Sequence, residues 1–339
     1  MQDIKNLTLI NLERFLIEKG HSAFRARQIF SWIYQKRNED FALMTNLSQA
    51  LKELLRANLY FSKIELIDKF RSEDKTEKFL FRLEDNNSIE SVIIPVDKRI
   101  TFCISTQVGC KYKCLFCASG KSGFIRNLTS GEIVSQILYL KDYRKDLGNI
   151  VFMGIGEPLD NYDNLLLAIR IINDKNGLNI GARKITISTC GLIPQINKLA
   201  NEKLQVELSV SLHAASDKIR EKLMPVNKIY PLEKLIAACK DYYKNTNRQI
   251  TFEYVLIKDI NSSLQDAKNL AKILKGFDAK INLIVYNMIP GFGLIPPDKK
   301  EISSFFNQLK NRGVNVTVRR PRGQDIEAAC GQLKLIYEK

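Results

Sequence analysis

The sequence predicts an α/β protein whose main part is a sheet of largely parallel strands, preceded by a helical segment and a β-hairpin. Three observations lead to this fold class. Residues 1 to about 60 repeat apolar side chains at helical spacing, residues 63 to about 95 alternate apolar and polar side chains, and apolar runs then alternate with helical patterns. Repeated strand–helix units require a mainly parallel sheet, which the periodicity allows to be open or closed into a barrel.

The first segment is predicted to be a small helical domain, residues 1–60. Its apolar residues recur at helical spacing in two groups: Leu9, Leu12, Phe15 and Leu16, then Ala26, Ile29, Phe30 and Ile33. A basic rim of Arg25, Arg27, Lys36 and Arg37 flanks the second group. On charge alone this rim is an ordinary solvated face.

The second segment, residues 61–95, is predicted to be a β extension. Lys78 to Leu83 alternate in polarity, Asp85 to Ser88 have the composition of a turn, and Ile89 to Ile94 form a third strand. Glu90 interrupts that otherwise apolar strand. Alternation alone allows an outward-facing or edge charge as readily as a functional carboxylate.

The third segment, residues 96–339, holds the strand–helix units. Strands are predicted at Ile100 to Ser105, Asn149 to Met153, Lys184 to Thr189, Val206 to Ser211, Ile250 to Leu256, Ile281 to Tyr286 and Val314 to Val318. Helices are predicted at Ser130 to Arg144, Tyr162 to Asn173, Pro231 to Tyr243, Leu264 to Leu274 and Asp298 to Asn311. Loops after such strands commonly carry function.

Composition favours a cytoplasmic protein with a polyanionic partner. The 339 residues include 52 Lys and Arg against 37 Asp and Glu, a net charge of +15. Neutralised phosphates release counterions, so this balance suits nucleic acid, although charge alone does not exclude an anionic membrane. The N-terminus shows no apolar signal region, and no apolar run reaches membrane-spanning length. Seven cysteines, an odd number, fit a reducing compartment.

A cysteine-rich loop at Ile104 to Gly120 carries the chemistry. Cys110, Cys114 and Cys117 are spaced four and three apart, and neither His21 nor His213 is near them in sequence. Structural zinc takes four ligands, whereas a [4Fe–4S] cube held by three thiolates leaves one iron open. The spacing favours the open cluster over a zinc knuckle or three unrelated core thiols.

The CxxxCxxC triplet, with Phe116 before its last cysteine, resembles the radical S-adenosylmethionine (SAM) superfamily. Gly109 and the Ala118-Ser119-Gly120 run resemble one branch, the RlmN/Cfr-type adenosine methyltransferases of ribosomal RNA. The resemblance implies a partial (β/α)6 radical SAM barrel with one [4Fe–4S] cluster per chain and two SAM molecules consumed per turnover. It also implies that residues 1–60 help to hold RNA.

The resemblance assigns a set of SAM contacts at the ends of the predicted strands. Gly156 and Glu157, in the GIGEPLDN run, are implied to bind the methionine end of SAM, and glycines there permit tight turning. The other implied contacts are Ser188, Ser211, Leu212, His213 and Asn287. Taken alone, a serine in such a place can cap a helix, and His213 can be a satisfied core histidine.

The C-terminal run from Arg322 to Leu333 resembles the signature end of the methyltransferase family. Ile326, Ala329, Cys330 and Leu333 also fit one helical face, which by itself predicts a buried thiol at Cys330. The resemblance instead implies that Cys330 carries the methyl group, that Cys103 is its companion cysteine, and that Glu90 accepts the ring proton.

The implied reaction is methylation of C2 of an adenosine in 23S rRNA, with transfer RNA a further substrate. It would pass through S-methylcysteine and a transient protein–RNA adduct, which Cys103 resolves by forming a disulfide with Cys330. The basic run Arg319, Arg320 and Arg322 would serve RNA phosphates or form a solvated charge cluster. We expect flavodoxin or ferredoxin as electron donor, and a monomer. The alternatives are C8 methylation of the same kind of base and a non-catalytic, zinc-stabilised RNA-binding protein.

Overall fold

The N-terminal segment folds into three helices, two of which begin at a capping hydroxyl. The computed structural model describes residues 1–97, 99–276 and 278–334. Helix α1 (Leu9–Glu18) follows Thr8, α2 is Phe24–Tyr34, and α3 (Gln49–Asn58) follows Ser48. The two hydroxyls accept hydrogen bonds from backbone N–H groups that have no partner within the helix. The helical spacing is confirmed, because Leu12, Leu16, Ala26, Ile29, Phe30 and Ile33 are all buried.

A short parallel pair, β1 (Gln2–Asp3) and β2 (Leu59–Tyr60), joins the two ends of this segment. Three antiparallel strands follow, β3 (Glu65–Arg71), β4 (Glu77–Arg82) and β5 (Ser88–Val96). The three strands are as predicted. The domain limits at residues 60 and 95, and the RNA role of the helices, stay predictions.

Strand β4 differs from a simple alternating strand because both of its faces are covered. Phe79 and Phe81 pack edge-on against Tyr139 of a later helix, with ring centroids 6.3 and 5.0 Å away. On the other face, Lys78 lies beneath the C-terminal segment and donates to the carbonyl of Glu327. Polar residues of β4 are therefore buried as well as apolar ones.

The rest of the chain alternates strands and helices. The strands are β6 (Arg99–Cys103), β7 (Gln107–Gly109), β8 (Phe124–Asn127), β9 (Leu147–Phe152), β10 (Ile185–Thr189), β11 (Glu207–Ser211), β12 (Ile250–Leu256), β13 (Ala279–Val285) and β14 (Asn315–Arg319). The helices are α4 (Ala118–Lys121), α5 (Ser130–Tyr143), α6 (Tyr162–Asn173), α7 (Ile193–Ala200), α8 (Asp217–Leu223), α9 (Leu232–Thr246), α10 (Leu264–Ile273) and α11 (Lys299–Lys310). The predicted strand limits agree with these bounds to within two residues.

One ten-stranded sheet holds the molecule together, in the order β14-β13-β12-β11-β10-β9-β6-β5-β4-β3. Every neighbouring pair from β6 to β14 is parallel, and the hydrogen-bonded ladder ends at β14 and β3. This open arrangement confirms the α/β, partial-barrel fold class. The parallel part has seven strands, one more than the six units that the family resemblance implies. Because the strands are parallel, their C-terminal ends meet at one edge, where loops can build a site.

The predicted C-terminal helical face is wrong. The chain makes a single 3₁₀ turn at Gln324–Ile326 and continues in turns. Gly323, Glu327 and Gly331 have φ angles of 65°, 52° and 86°. These left-handed conformations interrupt the right-handed helix that the apolar spacing suggested. Across the described ranges, no helix has the length and apolar character that crossing a membrane requires.

Candidate active site and cofactor pocket

The cysteine loop lies between β7 and α4, at the edge where the parallel strands end. Its backbone is fixed by hydrogen bonds from Cys110 N to Gly123 O (2.8 Å) and from Cys117 N to Cys114 O (3.1 Å), and Leu115 N donates to Leu223 O (2.8 Å). The side chains of Cys110, Cys114 and Cys117 all line one cavity, which we call the cofactor pocket. The triplet is thus brought together as predicted from its spacing.

The three thiols fit an iron–sulfur cube. All three line the same pocket, so three soft thiolate ligands face one space. A cube takes one thiolate on each of three irons, so it needs thiols spread around a cavity. Burial raises the pKa of Cys110 to about 12 and also raises that of Cys114. Thiols that resist ionisation in this way would be deprotonated by the iron they bind.

The opposite wall of the pocket presents a buried carboxylate. Glu157 Oε2 accepts a hydrogen bond from Cys190 N (2.7 Å), and Oε1 accepts one from Leu159 N (3.0 Å). Burial is the main cause that raises the pKa of Glu157, while these hydrogen bonds act in the opposite direction. Gly156 has a φ of 105°, and a Cβ there would lie 2.5 Å from the Cβ of Gln107. The pair is therefore a rigid acceptor suited to an ammonium group.

Residues at the ends of β10 and β11 complete the pocket. Ser188, Ser211 and His213 line it, whereas Leu212 is buried and bonded through its backbone N–H to Glu253 O. His213 Nδ1 accepts a hydrogen bond from Val255 N (2.9 Å), which leaves Nε2 to carry the proton. Burial, and secondarily Arg220, lowers the pKa of His213 to about 3. A neutral histidine therefore faces the pocket.

The ring of His213 also supports the cysteine loop. It meets Phe116 edge-on, with centroids 4.6 Å apart and planes at 75°. Phe116 directly precedes Cys117 in the chain. The core-histidine interpretation and the pocket-lining interpretation therefore both describe this side chain.

Two charged residues of the site were missed by sequence reasoning. Arg220, in α8, is fully buried and donates to Leu212 O (3.1 Å), Ser211 O (3.1 Å), Cys190 O (2.8 Å) and Asn227 Oδ1 (2.9 Å). It ties the strand ends of β10 and β11 together. Because α8 is rich in charged residues, its sequence pattern does not distinguish Arg220 from a solvent-exposed arginine.

Glu253 did leave a signal, because it is a charge within the apolar strand β12. Its Oε1 accepts hydrogen bonds from Ser209 Oγ (2.8 Å) and Asn282 Nδ2 (3.1 Å), and its side chain lines the cofactor pocket. The pattern of an isolated acid in an apolar strand is the one that singled out Glu90.

Residues 323–334 form a C-terminal strap, of which Cys330 and Gly331 line the pocket. Ala118 N donates to Gly331 O (2.7 Å) and Ser119 Oγ to Leu333 O (2.6 Å), which fastens the strap to α4 beside the cysteine loop. Cys330 is exposed and lines the cofactor pocket. The buried thiol predicted from the helical face is thus wrong, because the strap turns the side chain outward.

A second cavity adjoins the first and is shared by Cys330 and Cys103. Asn287 lies there, where its Nδ2 donates to Cys330 O (3.0 Å), so the structure places it against the strap and outside the lining of the cofactor pocket. Burial, and secondarily Cys330, raises the pKa of Cys103 to about 12. All seven cysteines lie in the described ranges and are free thiols.

The basic run near the strap divides in two. Arg319 lines both cavities, its Nη1 lies 3.9 Å from Met153 Sδ, and its pKa is raised chiefly by nearby Cys330. Arg320 is exposed and Arg322 is half-buried, and both line only the second cavity. Arg319 is therefore a pocket residue, so the expectation of a uniform phosphate-facing run does not fit it.

Glu90 lies outside the lining of both cavities. Its side chain is fully buried, with Lys78 Nζ 3.0 Å from Oε1 and Lys334 N donating to Oε2 at 2.9 Å. An outward-facing or edge charge is excluded by this burial. The strap therefore covers Glu90 while it presents Cys330.

Comparison with known proteins gives a consistent result over the whole chain. Residues 104–271 match the family model of the radical SAM superfamily, and residues 2–60 match that of the ribosomal RNA large subunit methyltransferase N-terminal domain. The probable dual-specificity RNA methyltransferase RlmN of Clostridium novyi (strain NT) is 46% identical over 339 residues, covering 99% of each chain. That of Staphylococcus aureus (strain JH9) is 45% identical over 337 residues, covering 98% of this chain and 93% of the relative.

Among solved structures, a radical SAM methyltransferase from Sphaerobacter thermophilus matches with a TM-score of 0.93 and 43% identity. The match covers 98% of this chain and 99% of that one.

Proposed function

We propose that this chain, which belongs to the RlmN family of radical SAM RNA methyltransferases, methylates C2 of an adenosine in 23S rRNA and also acts on transfer RNA. The observation that carries the proposal is the meeting of two remote thiol sites. Cys330 of the strap lines the pocket of the cysteine loop on one side and shares a second cavity with Cys103 on the other.

As a radical SAM protein the chain uses a [4Fe–4S] cluster and SAM, and we assign the residues that hold them from the pocket. Cys110, Cys114 and Cys117 hold the cluster. Gly156 and Glu157 receive the methionine end of SAM, while Ser188, Ser211 and His213, which line the pocket, orient the rest. Leu212 contributes its backbone, and Asn287 acts from the adjoining cavity through its contact with Cys330 O. When bound, these groups supply a methyl group and a radical able to remove hydrogen from it.

The chain's own part is to carry and release the carbon unit. Cys330 accepts the methyl group through its sulfur, which requires the thiolate form. Its position between the two cavities lets the same sulfur face the cofactor pocket and then Cys103. The Cys103 thiolate attacks the Cys330 sulfur, the S–S bond forms as the S–C bond breaks, and the electrons of that bond stay with the RNA-bound carbon, which takes up a proton to become the methyl group. Glu90 takes the proton that leaves the adenine ring.

RNA reaches this site through the exposed basic surface. The +15 net charge, including exposed Arg320 and half-buried Arg322 beside the second cavity, favours a polyanion. The target base must leave its stack to enter, as base-modifying enzymes generally require. We assign residues 1–60 to RNA binding, 61–95 to the connecting β extension and 96–339 to the catalytic core. Free thiols at all seven cysteines fit the reducing cytoplasm. We further propose that the protein works as a monomer with flavodoxin or ferredoxin as electron donor.

The test is anaerobic reconstitution with iron, sulfide, SAM, a reductant and either 23S rRNA or transfer RNA, followed by mass spectrometry of the nucleosides. 2-Methyladenosine is the expected product, and Cys330→Ala should yield none while keeping its iron and sulfide. Detection of 8-methyladenosine instead would assign the methylation to C8 of the base. Zinc without iron and sulfide in the purified protein would overturn the proposal in favour of a binding protein.

A further inference from the structure

A buried ion pair lies beneath the strap and has no assigned role. Lys78 of β4 and Glu90 of β5 project from the same face of the sheet, since Leu80 pairs with Glu90 and Lys78 with Val92 in the antiparallel register. Their side chains are 6% and 0% exposed, and Lys78 Nζ lies 3.0 Å from Glu90 Oε1. A lysine and a glutamate are rarely buried this deeply unless they are paired.

The strap is anchored on both members of this pair. Lys334 N donates to Glu90 Oε2 (2.9 Å), and Lys78 Nζ donates to Glu327 O (3.4 Å). Lys334 Nζ and Glu327 Oε2 form a further ion pair at 2.7 Å that closes the strap on itself. Cys330 lies between these two anchors, so the pair is linked to the position of the proposed methyl carrier.

We propose that Lys78 is a positioning residue that holds the Glu90 carboxylate in its charged, proton-accepting form under the strap. The inference deepens the proposed function and rests on it, because it assumes that Glu90 takes the proton from the adenine ring. In that step the ring C–H bond breaks, its electron pair stays with the purine, and the proton goes to a Glu90 oxygen. Lys78 keeps its own proton throughout.

The geometry leaves Glu90 Oε1 able to act. Apart from the ammonium of Lys78 at 3.0 Å, this oxygen has no hydrogen-bond partner among the described residues. Oε2, in contrast, is occupied by the backbone N–H of Lys334. Oε1 is therefore the oxygen assigned to the ring proton.

Burial and charge act in opposite directions on Glu90. Burial is the largest effect and raises the pKa of Glu90, while Lys78 and then the contacts of Lys334 lower it. The charged groups that face Glu90 come from two elements, Lys78 from β4 and Lys334 with Glu327 from the strap. From the loop after β6, only the neutral Ser105 hydroxyl contacts residue 90, at its carbonyl. Without the charge of Lys78, the effect of burial would raise the pKa of Glu90 further. Glu90 would then hold its proton at neutral pH and fail as a base.

The first test is the pH–rate profile of RNA methylation by the reconstituted enzyme and by Lys78→Met. The variant should lose activity about tenfold at pH 7, with its acidic limb displaced upward by roughly one pH unit, so that activity recovers at higher pH. Lys78→Arg, which keeps the charge, should restore most of the wild-type profile. Lys69→Met removes an exposed lysine from the neighbouring strand β3 and should leave the profile unchanged.

A purely structural role would look different. It would lower the rate by the same factor at every pH, without a displaced limb, and that result would overturn the inference. If Lys78→Met does not fold, Lys78→Gln replaces it with a polar side chain of similar reach and the same expected displacement.

A second readout does not depend on methylation. An infrared titration of the holoenzyme would follow the carboxyl band that disappears in Glu90→Gln, and Lys78→Met should move its titration to higher pH. An unchanged titration would overturn the inference. An inactive wild type with the expected displacement would instead count against the proposed function alone.

Discussion

Replacing Arg220 with methionine tests whether one buried cation holds the strand ends of the cofactor pocket. The guanidinium donates to four acceptors, of which Ser211 O and Cys190 O belong to residues that line the pocket. Methionine fills much of the same space but donates nothing, so all four acceptors lose this donor, although Leu212 O keeps the hydrogen bond from Ala214 N. At about 1 kcal/mol for each lost hydrogen bond, the free energy of unfolding should fall by about 4 kcal/mol.

The measurement is urea unfolding of wild type and Arg220→Met, together with SAM binding by equilibrium dialysis. Lysine at the same position keeps a charge but lacks the planar fork, so Arg220→Lys should recover only part of the loss. Lys222→Met is the matched control, because Lys222 is an exposed cation on the same helix. A loss below about 1 kcal/mol for Arg220→Met, within the range of ordinary surface substitutions, would refute the reasoning.

Four further substitutions have distinct expected outcomes. Cys330→Ala should abolish methylation with the iron content unchanged, whereas Cys103→Ala should leave protein covalently linked to RNA on a denaturing gel; free RNA from Cys103→Ala would contradict the resolving role. Gly156→Ala should weaken SAM binding more than tenfold, because it places a Cβ 2.5 Å from a neighbouring side-chain carbon at a φ of 105°. Gly181→Ala, with open space around it, should bind as wild type. The pKa of His213 is lowered to about 3, so the stabilisation that its neutral form gives is complete above its unfolded pKa of about 6.5 and is lost as the pH falls toward 3. Metal-free protein should therefore lose about 2 kcal/mol between pH 6.5 and 5 in urea unfolding, and His213→Gln should remove that slope.

The strands of the parallel sheet were predictable because their burial is expressed in composition. Ile185–Thr189 and Ile250–Leu256 are covered on both faces by helices and barrel interior, so they contain apolar and β-branched residues whatever the details of the loops. The cysteine triplet was equally direct, since ligand chemistry fixes both residue type and spacing.

The strap was not predictable from spacing, because its conformation depends on long-range contacts. Its apolar residues fit a helical face, but the left-handed backbone at Gly323, Glu327 and Gly331 depends on contacts made far away in the chain. A Cβ at Gly331 would lie 2.9 Å from Phe116 O, so the turn that exposes Cys330 exists because the strap packs on the cysteine loop. Periodicity describes contacts within a segment and contains no information about such a partner.

A charged residue within an otherwise apolar strand is the clearest sequence signal of the functional site in this protein. Glu90 and Glu253 each interrupt an apolar strand, and in both cases the structure shows a buried carboxylate held by specific partners beside the proposed chemistry. A buried charge is costly without a partner, so a folded chain keeps one there only where neighbouring groups hold it. The net charge of +15 is a weaker guide, since most of it lies on solvated residues and only Arg319 of the basic run turns into the pocket. An isolated charge within an apolar strand therefore locates the site more closely than the net charge does. Lys78 occupies an ordinary polar position in the alternating pattern of β4, so only its contact with the Glu90 carboxylate identifies it.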